Sequence, residues 1–332
     1  MAPSPTLIFD ALQAHVRTDA LKAAIQLKLF TAIADGASTP SDLAARCHAS
    51  PKGIRVLCDF MTITGFLTKD ASGSYGLTPD SSLFLVESSP AYMGGIAEFI
   101  LHPYIKNAFD DLAGTVRNGG TLLADQGTVS PDNAIWVDFA KGMMPMMMPQ
   151  AQYIASLTAG AGPLKVLDLA AGHGLFGLMI AQRNPEAQIY AVDWKKVLAV
   201  AAGNAMQFRV RERWHAIEGD AFKVDYGTGY DLALVTNFIH HFDVDTNVGF
   251  MKKIRAALKP GGKIAILEFA VNDDRITPPG AGTFAMTMLA STQSGDAFTY
   301  NEIESMCKDA GFSGIAHHLI EPTPQSVTIA IA

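Results

Sequence analysis

The sequence predicts an α/β protein in which a Rossmann-like, doubly wound domain follows a mainly helical, winged-helix domain. Between residues 161 and 271, short apolar runs alternate with helical patterns, as the strands and crossover helices of a parallel sheet require. Ahead of them, residues 38–86 carry two short helical patterns and then a hairpin, the order of a winged helix. We therefore expect a winged-helix-like domain at 1–90, a helical linker at 91–160 and the α/β domain at 161–332.

The first domain should begin with two helices within residues 6–35. The second, at 20–34, is apolar almost all round, which predicts burial in a core or an interface. In the winged-helix region, Ser50 and Pro51 have the N-cap and first-turn chemistry of a helix start. DNA binding is an alternative for this region, but the helix that would enter a groove offers only Lys52 and Arg55 as cations. We therefore favour a dimerisation scaffold.

The linker at 91–160 reads as helical throughout and contains five methionines between positions 143 and 148. Methionine is a flexible apolar filler, so the run is typical of core or interface packing. The alternative is a pocket wall for a flat, apolar molecule, and both interpretations stay open here. Helix breaks are expected at Pro103, Pro131, Pro145 and Pro149.

The stretch from Lys165 to Gly177, KVLDLAAGHGLFG, reads as a strand, a tight turn of small residues and the start of a helix. Such a turn lets the backbone approach a ligand closely, and the helix N-terminus offers it unpaired N–H groups. Asp193 ends the next apolar run, where an acidic residue typically binds ribose hydroxyls. The turn lacks the G-x-G-x-x-G pattern, and Asp168 would repel a pyrophosphate. We therefore expect an adenosine-containing ligand with an amino or sulfonium group, not a dinucleotide.

The later strands bring further polar and aromatic residues to the same edge of the sheet. Asp220, Ala221 and Phe222 follow the third strand and suit the edge and face of an adenine, and Asn237 follows the fourth. An open α/β sheet has its binding site at these carboxyl ends. The strands are expected at 164–169, 188–192, 214–218, 231–236, 263–269 and 327–331, with a turn at 258–263 and an exposed loop at 317–318.

Composition excludes several classes of function. The net charge is −7, and lysine and arginine form no basic block, which argues against nucleic acid as the main partner. The three cysteines, an odd number without C-x-x-C spacing, are typical of reduced thiols in the cytoplasm. We expect no signal peptide and no membrane span, because no basic n-region or long apolar stretch is present.

Five motifs taken together, VLDLAAGHG, IYAVD, GDAF, NFIHHFD and LKPGGKIAILEF, resemble those of class I small-molecule O-methyltransferases. This is the family with plant phenolic and with bacterial hydroxyneurosporene and acetylserotonin-type members, and the resemblance covers nearly the whole chain. It implies S-adenosyl-L-methionine as cofactor, S-adenosylhomocysteine as product and a homodimer formed through the N-terminal domain. In the glycine turn, Ala170 replaces the family's first glycine.

The resemblance also implies a catalytic pair. The family's general-base histidine matches His240, and the glutamate that orients it matches Glu268. Two positions depart from the pattern, because His241 and Tyr300 stand where the family has carboxylates. We assign cofactor contacts to Asp168, Ala170, Gly172, Gly174, Asp193, Trp194, Asp220, Ala221, Phe222 and Asn237, and acceptor contacts to Phe139, Met143, Met147, His241, Met288 and Tyr300.

The chemistry of these residues fits methyl transfer to a hydroxyl of an apolar or aromatic small molecule. A histidine can take the hydroxyl proton near neutral pH, and a carboxylate on its other nitrogen would fix the tautomer. Transfer to carbon, nitrogen or sulfur, and a catalyst that binds the cofactor without methyl transfer, are alternatives on the same scaffold. A regulator that senses the cofactor is an alternative of another class. A metal site at His240, His241, Asp243 and Asp245 is disfavoured, because adjacent histidines rarely point the same way.

Overall fold

The computed structural model describes residues 3–332, so residues 1 and 2, with which the expected first domain begins, lie outside the described part. The chain divides into two compact units, one that ends at Leu101 and one that runs from His102 to Ala332. Within the described residues, no helix combines the length and apolar character needed to cross a membrane.

The first unit consists of helices and one short antiparallel hairpin, in the order that the sequence predicts for a winged helix. Ser50 caps the second helix of the motif by accepting a hydrogen bond from the backbone N–H of Gly53 at 3.1 Å. Its elements are α1 (Thr6–Gln26), α2 (Leu29–Ala34), α3 (Pro40–Arg46), α4 (Pro51–Ile63), β1 (Leu67–Lys69), β2 (Tyr75–Leu77), α5 (Pro79–Phe84) and α6 (Ile96–Ile100).

The prediction of a helix at 20–34 is wrong. The structure has one long helix, α1, that runs through residue 20, and the chain then breaks at Lys28, which adopts a left-handed conformation with φ of 53°. The apolar residues after the break serve the unit's own core, where Leu29 and Phe30 are buried together with Leu43 of α3. The apolar character of this segment is therefore explained by packing inside the unit.

The second unit is built on a seven-stranded sheet with the order β5-β4-β3-β6-β7-β9-β8. Strands β3 to β7 pair in parallel, and β9 pairs antiparallel to both of its neighbours. This is the doubly wound, Rossmann-like arrangement that the sequence predicts. Its strands are β3 (Leu164–Leu169), β4 (Ala187–Asp193), β5 (Trp214–Glu218), β6 (Tyr230–Thr236), β7 (Leu258–Glu268), β8 (Ser313–Leu319) and β9 (Ser326–Ile331).

Helices cover both faces of this sheet. Alternate residues of β3 point to opposite faces, so Leu167 and Leu169 join a core with residues of α13 and α15, while Asp168 faces α11. Pro149 does not break its helix as expected, because it lies inside α10. The helices are α7 (Pro103–Asn107), α8 (Leu112–Asn118), α9 (Ile135–Gly142), α10 (Met144–Thr158), α11 (Leu175–Arg183), α12 (Lys195–Gln207), α13 (Val244–Ala257), α14 (Pro279–Ser291) and α15 (Tyr300–Asp309).

Two details of the sheet differ from the sequence prediction. Strand β7 begins at Leu258, so the expected turn at 258–263 is part of an irregular strand whose register shifts opposite Tyr230 and Leu232. His317 and His318 lie on β8 and not in an exposed loop. His317 is half-buried there, and its Nδ1 is 2.8 Å from the hydroxyl of Thr328 on β9.

Candidate active site

A cavity of about 290 Å³ opens at the carboxyl ends of β3 to β6, where the sequence predicts the site. Eight of the ten predicted cofactor residues lie in its wall, together with Phe139 and His241. The full lining is Gln126, Val129, Ser130, Pro131, Trp136, Phe139, Ala170, Gly172, Val192, Asp193, Trp194, Val197, Gly219, Asp220, Ala221, Phe222, Lys223, Thr236, Asn237, Phe238, His241 and Phe242.

The turn after β3 needs small residues, because its backbone takes left-handed conformations and the ring of Phe139 lies close to it. Gly172 has φ of 57°, and a Cβ at this position would lie 3.2 Å from the ring of Phe139. Ala170 has φ of 50°, a conformation that costs a residue with a side chain roughly 1–2 kcal/mol and costs glycine almost nothing. The alanine that stands where the resembling family has its first glycine is therefore strained.

Asp193 ties this turn to the end of β4. Its Oδ2 accepts a hydrogen bond from the backbone N–H of Gly172 at 2.8 Å, and its Oδ1 accepts one from Trp194 at 2.7 Å. Burial raises the pKa of the Asp193 carboxyl to about 6, against the lowering effect of these two hydrogen bonds. Each oxygen keeps a lone pair for a further donor, so the carboxylate fits the two hydroxyls of a ribose.

Asp220 and Phe222 form the neighbouring wall after β5. Asp220 Oδ1 accepts a hydrogen bond from the Phe222 backbone N–H at 2.9 Å, which orients the turn. The Phe222 ring packs edge-on against Phe242, with ring centroids 4.9 Å apart, and beside Phe238 at 5.8 Å. A carboxylate next to an aromatic wall suits the amino edge and the face of an adenine, as the sequence predicts.

Asp168 and Gly174 are not in the cavity wall. The Asp168 side chain is fully buried under the turn, where its Oδ2 accepts a hydrogen bond from the Gly177 N–H at 3.2 Å. Its Oδ1 has no partner among residues 3–332, and burial raises the pKa of this carboxyl well above its usual range. Gly174 faces Ala201 of α12, 3.1 Å from where a Cβ would lie. The structure thus places Asp168 in the support of the turn and away from the ligand cavity.

His240 and Glu268 form a buried pair beside the cavity. His240 Nδ1 lies 2.5 Å from Glu268 Oε2, and the two residues are 4% and 3% exposed. The other carboxylate oxygen, Oε1, accepts hydrogen bonds from the backbone N–H groups of Phe238 at 3.1 Å and Ile239 at 3.0 Å. Glu268 therefore holds both the imidazole and the backbone turn that carries it.

Two residues that the sequence analysis missed complete the surroundings of His240. Asn247 of α13 donates from Nδ2 to the carbonyl oxygens of Ile239 at 2.9 Å and Phe242 at 3.2 Å, so it holds the turn from the other side. Phe284 of α14 packs edge-on against the His240 ring, with centroids 4.8 Å apart. Neither position has a motif of its own, so only the tertiary structure shows its role.

His241 lies in the cavity wall, where its ring packs edge-on against Trp136 at 5.2 Å and beside His240 at 4.3 Å. Burial, and secondarily the charge of His240, holds the pKa of His241 well below its usual range, so this ring is neutral near pH 7. Its Nδ1 is buried without a partner among the described residues. Trp136, next to the predicted Phe139, is a wall residue that the sequence analysis did not assign.

The structure does not bring the remaining predicted acceptor residues into the cavity wall. Met143, Met147 and Met288 are all buried, which matches the packing interpretation of the methionine run. Tyr300 packs on the core beneath α15, with its ring 5.1 Å from that of His317. The described residues contain no group of three or more histidine, cysteine, aspartate or glutamate side chains arranged to hold a metal.

Comparison with known proteins identifies the family. A model of the O-methyltransferase domain matches residues 128–313, and a model of the O-methyltransferase dimerisation domain matches residues 9–87. A curated relative, the 3-hydroxy-5-methyl-1-naphthoate 3-O-methyltransferase of Streptomyces sahachiroi, is 26% identical over 94% of this chain and 90% of its own length. The mouse acetylserotonin O-methyltransferase is 25% identical, over 92% of this chain and 83% of its own.

Solved structures agree with this assignment. A candidate O-methyltransferase from Nostoc punctiforme PCC 73102 is 48% identical, superposes with a TM-score of 0.96 and is matched over 100% of both chains. Human N-acetylserotonin methyltransferase, solved in complex with its methyl donor, shares the fold at 20% identity with a TM-score of 0.86, over 100% of this chain and 98% of that one. The resemblance found in the sequence is confirmed, and this chain belongs to the O-methyltransferase family, as an enzyme that uses S-adenosylmethionine.

Proposed function

We propose that this enzyme methylates a hydroxyl of a small aromatic acceptor and that His240 is the general base. The observation that carries the proposal is the 2.5 Å contact between His240 Nδ1 and Glu268 Oε2. Because Nδ1 is engaged by a carboxylate, it carries the ring's proton, and Nε2 is left as the basic nitrogen. A base with its tautomer fixed in this way is suited to take the proton of an attacking hydroxyl.

The cavity fits the cofactor. Asp193 would hold the ribose, while Asp220 and Phe222 would contact the adenine, and the left-handed turn at Gly172 leaves space for the ligand's close approach. When bound, S-adenosylmethionine supplies a methyl group that is activated by its sulfonium charge. The protein's own contribution is to hold the base, exclude water and align the hydroxyl.

The surroundings of His240, where we place the methyl acceptor, are aromatic. Glu268 is the carboxylate described beside this histidine, and Tyr300 and His241 stand where the family has others. Phe284 and Phe269 stack with centroids 4.1 Å apart and lie beside His240, which favours a flat ring as acceptor. His241 stands near the base as a neutral group with an unpartnered nitrogen, and we assign to it a hydrogen bond with an oxygen of the acceptor. The naphthoate and acetylserotonin substrates in the names of the relatives are consistent with this class of acceptor.

The test is a mass-spectrometric screen of phenols, anilines and thiophenols as acceptors with S-adenosylmethionine. We expect a methylated product from phenols, and His240→Ala should lower turnover by about 10²–10⁴-fold without weakening S-adenosylhomocysteine binding. A matched control is His215→Ala, since His215 is half-exposed on β5, lies outside the cavity wall and has its Nε2 3.0 Å from Gln188 Oε1. Wild-type turnover in His240→Ala would remove His240 from the mechanism, and methylation of anilines or thiophenols alone would change the acceptor atom.

We further propose that the protein works as a homodimer through its first unit. The dimerisation family model covers residues 9–87, and the start of α1 exposes apolar side chains: Leu7 is 80% exposed and Leu12 is 67% exposed. A row of exposed apolar residues on one helix is typical of an interface. A monomeric mass in light scattering would contradict the dimer. The buried, unpaired cysteines fit the cytoplasm, where we place the enzyme.

A further inference from the structure

A chain of three amide side chains runs from the interior of the second unit to the cofactor cavity. Gln150 of α10 donates from Nε2 to Oε1 of Gln325 at 2.9 Å, and Gln325 donates from Nε2 to Oδ1 of Asn237. Gln150 and Gln325 are each 2% exposed, whereas Asn237 lies in the cavity wall. The chain thus connects the helix of the methionine run and the residue before β9 with the end of β6.

Stability alone does not explain this chain. Burying an amide costs free energy unless every polar atom finds a partner, and apolar side chains of the same shape would fill the space more favourably. Gln150 Oε1 is buried without a partner among the described residues, so the chain is not fully satisfied. A buried polar chain that ends at a ligand cavity is better explained by what it holds in place there.

Asn237 is the residue that is held. Its φ of 54° is left-handed, a conformation that favours glycine, and its backbone N–H donates to the carbonyl of Leu267 at 2.9 Å. Among the described residues, Asn237 Nδ2 has one hydrogen-bond acceptor, the sulfur of Met147 at 3.5 Å, and a thioether is a weak acceptor. The Nδ2 group of this amide therefore keeps hydrogen-bonding capacity for a ligand. Gln325 fixes the orientation of the amide, because it binds the Oδ1 end.

We propose that Gln325 is a positioning residue for the cofactor. By donating to Oδ1 it locks the side chain of Asn237 with Nδ2 as the available donor, which suits an oxygen of the bound cofactor. Gln150 supports this role by holding Oε1 of Gln325. The inference rests on the proposed contact of Asn237 with the cofactor and is independent of which acceptor is methylated.

The test is calorimetric binding of S-adenosylhomocysteine to Gln325→Met, Gln150→Met and Asn237→Ala. We expect Gln325→Met and Asn237→Ala each to weaken binding about tenfold, and Gln150→Met to weaken it less, because it leaves the Gln325–Asn237 bond in place. The double variant Asn237→Ala with Gln325→Met should bind no more weakly than Asn237→Ala alone. In turnover assays the KM for S-adenosylmethionine should rise while kcat changes little.

A control separates positioning from stability. Asn184 is another buried amide, which donates to the carbonyls of Ala159 at 2.8 Å and Gly162 at 3.0 Å and lies outside the cavity wall. Asn184→Leu should lower the melting temperature and leave S-adenosylhomocysteine affinity unchanged. If Gln325→Met does not fold, Gln325→Glu serves instead. Its carboxylate can only accept hydrogen bonds, so Asn237 would have to present Nδ2 to it in place of Oδ1. We expect the same loss of S-adenosylhomocysteine affinity, about tenfold.

Two results would overturn the proposal. One is an affinity of Gln325→Met or Gln325→Glu within about twofold of the wild type, which would leave Gln325 a structural residue. The other is an unchanged affinity in Asn237→Ala. Because S-adenosylhomocysteine binds without an acceptor, failure of the phenol screen leaves this test intact, and failure of this test leaves the proposed reaction intact.

Discussion

The two halves of the sheet hold their polar side chains in different ways. In the half formed by β3 to β5, Asp193 and Asp220 accept backbone hydrogen bonds and still lie in the wall of the cavity. In the half formed by β6 and β7, His240 and Glu268 are almost fully buried and bonded to each other. The first half leaves hydrogen-bonding capacity open for a ligand. At His240 and Glu268 the second half uses it internally, so that the His240 ring stays in one orientation.

The strongest test of this difference between the two halves is a substitution of Glu268, for which we expect the largest effect. Glu268→Leu removes the acceptor for the Phe238 and Ile239 N–H groups and for the His240 ring, which are left buried and unpaired. We expect the free energy of unfolding to fall by about 3–5 kcal/mol and turnover to be lost. Urea denaturation measures the first and the methylation assay the second.

The matched control lies in the other half of the sheet. Glu218 ends β5 as Glu268 ends β7, but its side chain is 57% exposed and its Oε2 lies 3.8 Å from the Lys195 ammonium group. Glu218→Leu should change stability by less than about 0.5 kcal/mol. A similar loss in both variants would show that the carboxylates at the two strand ends do not differ as we describe.

A smaller effect is expected when pH changes the charge of Asp193 in the cavity wall. The pKa of Asp193 is raised to about 6, so this carboxyl gains a proton as the pH falls from 7 to 5. The protonated form accepts ribose hydroxyls less well, and affinity for S-adenosylhomocysteine should therefore fall by up to about tenfold over that range. Calorimetry at several pH values measures the change.

The raised pKa of Asp193 also makes the stability of the folded protein depend on pH. Because the pKa of Asp193 in the folded protein lies above its unfolded value, stability is greatest below the unfolded pKa near 4 and decreases as the pH rises through about 6. Asp193→Asn should remove the pH dependence of affinity and the part of the pH dependence of stability that this carboxyl contributes. If the variant retains the pH dependence of affinity, another group titrates in the site.

The smallest effect is expected at the turn itself. Ala170→Gly should raise the free energy of unfolding by about 0.5–1 kcal/mol, because glycine adopts the left-handed conformation of this position without strain. Ala171, the next residue, is not among the residues with positive φ. Ala171→Gly should lower stability by about 0.5–1 kcal/mol. Equal changes in the two variants would mean that Ala170 is not strained.

The positions that the sequence predicts best are those at strand ends. Asp193, Asp220 and Asn237 each lie at the end of a parallel strand or within two residues after it. The strand prediction alone therefore places them at one edge of the sheet, without knowledge of packing. His240 and Glu268 could be paired only through the resemblance, because they come from different strands. Tyr300 shows the limit of such matching, since an aligned position does not tell where the side chain points.

Other features depend on interactions that local pattern does not carry. Asp168 faces α11 because successive residues of a strand point to opposite sides of the sheet. Helices cover both sides of this sheet, so the sequence of β3 does not show which side Asp168 faces. The break at Lys28 has no glycine or proline to mark it. The chain of Gln150, Gln325 and Asn237 joins residues that are far apart in sequence, and no motif links them.

The position of β9 has a consequence for how the molecule assembles. Strand β9 follows β8 in the chain but pairs between β8 and β7. Strands β3, β4 and β5 pair with their neighbours in sequence, so this half of the sheet can form as soon as these residues have been synthesised. Until β9 arrives, β7 has an open edge, and such an edge invites pairing with other chains. During synthesis, the half of the sheet that carries His240 and Glu268 is thus completed last, and aggregation at that edge is the hazard of this topology.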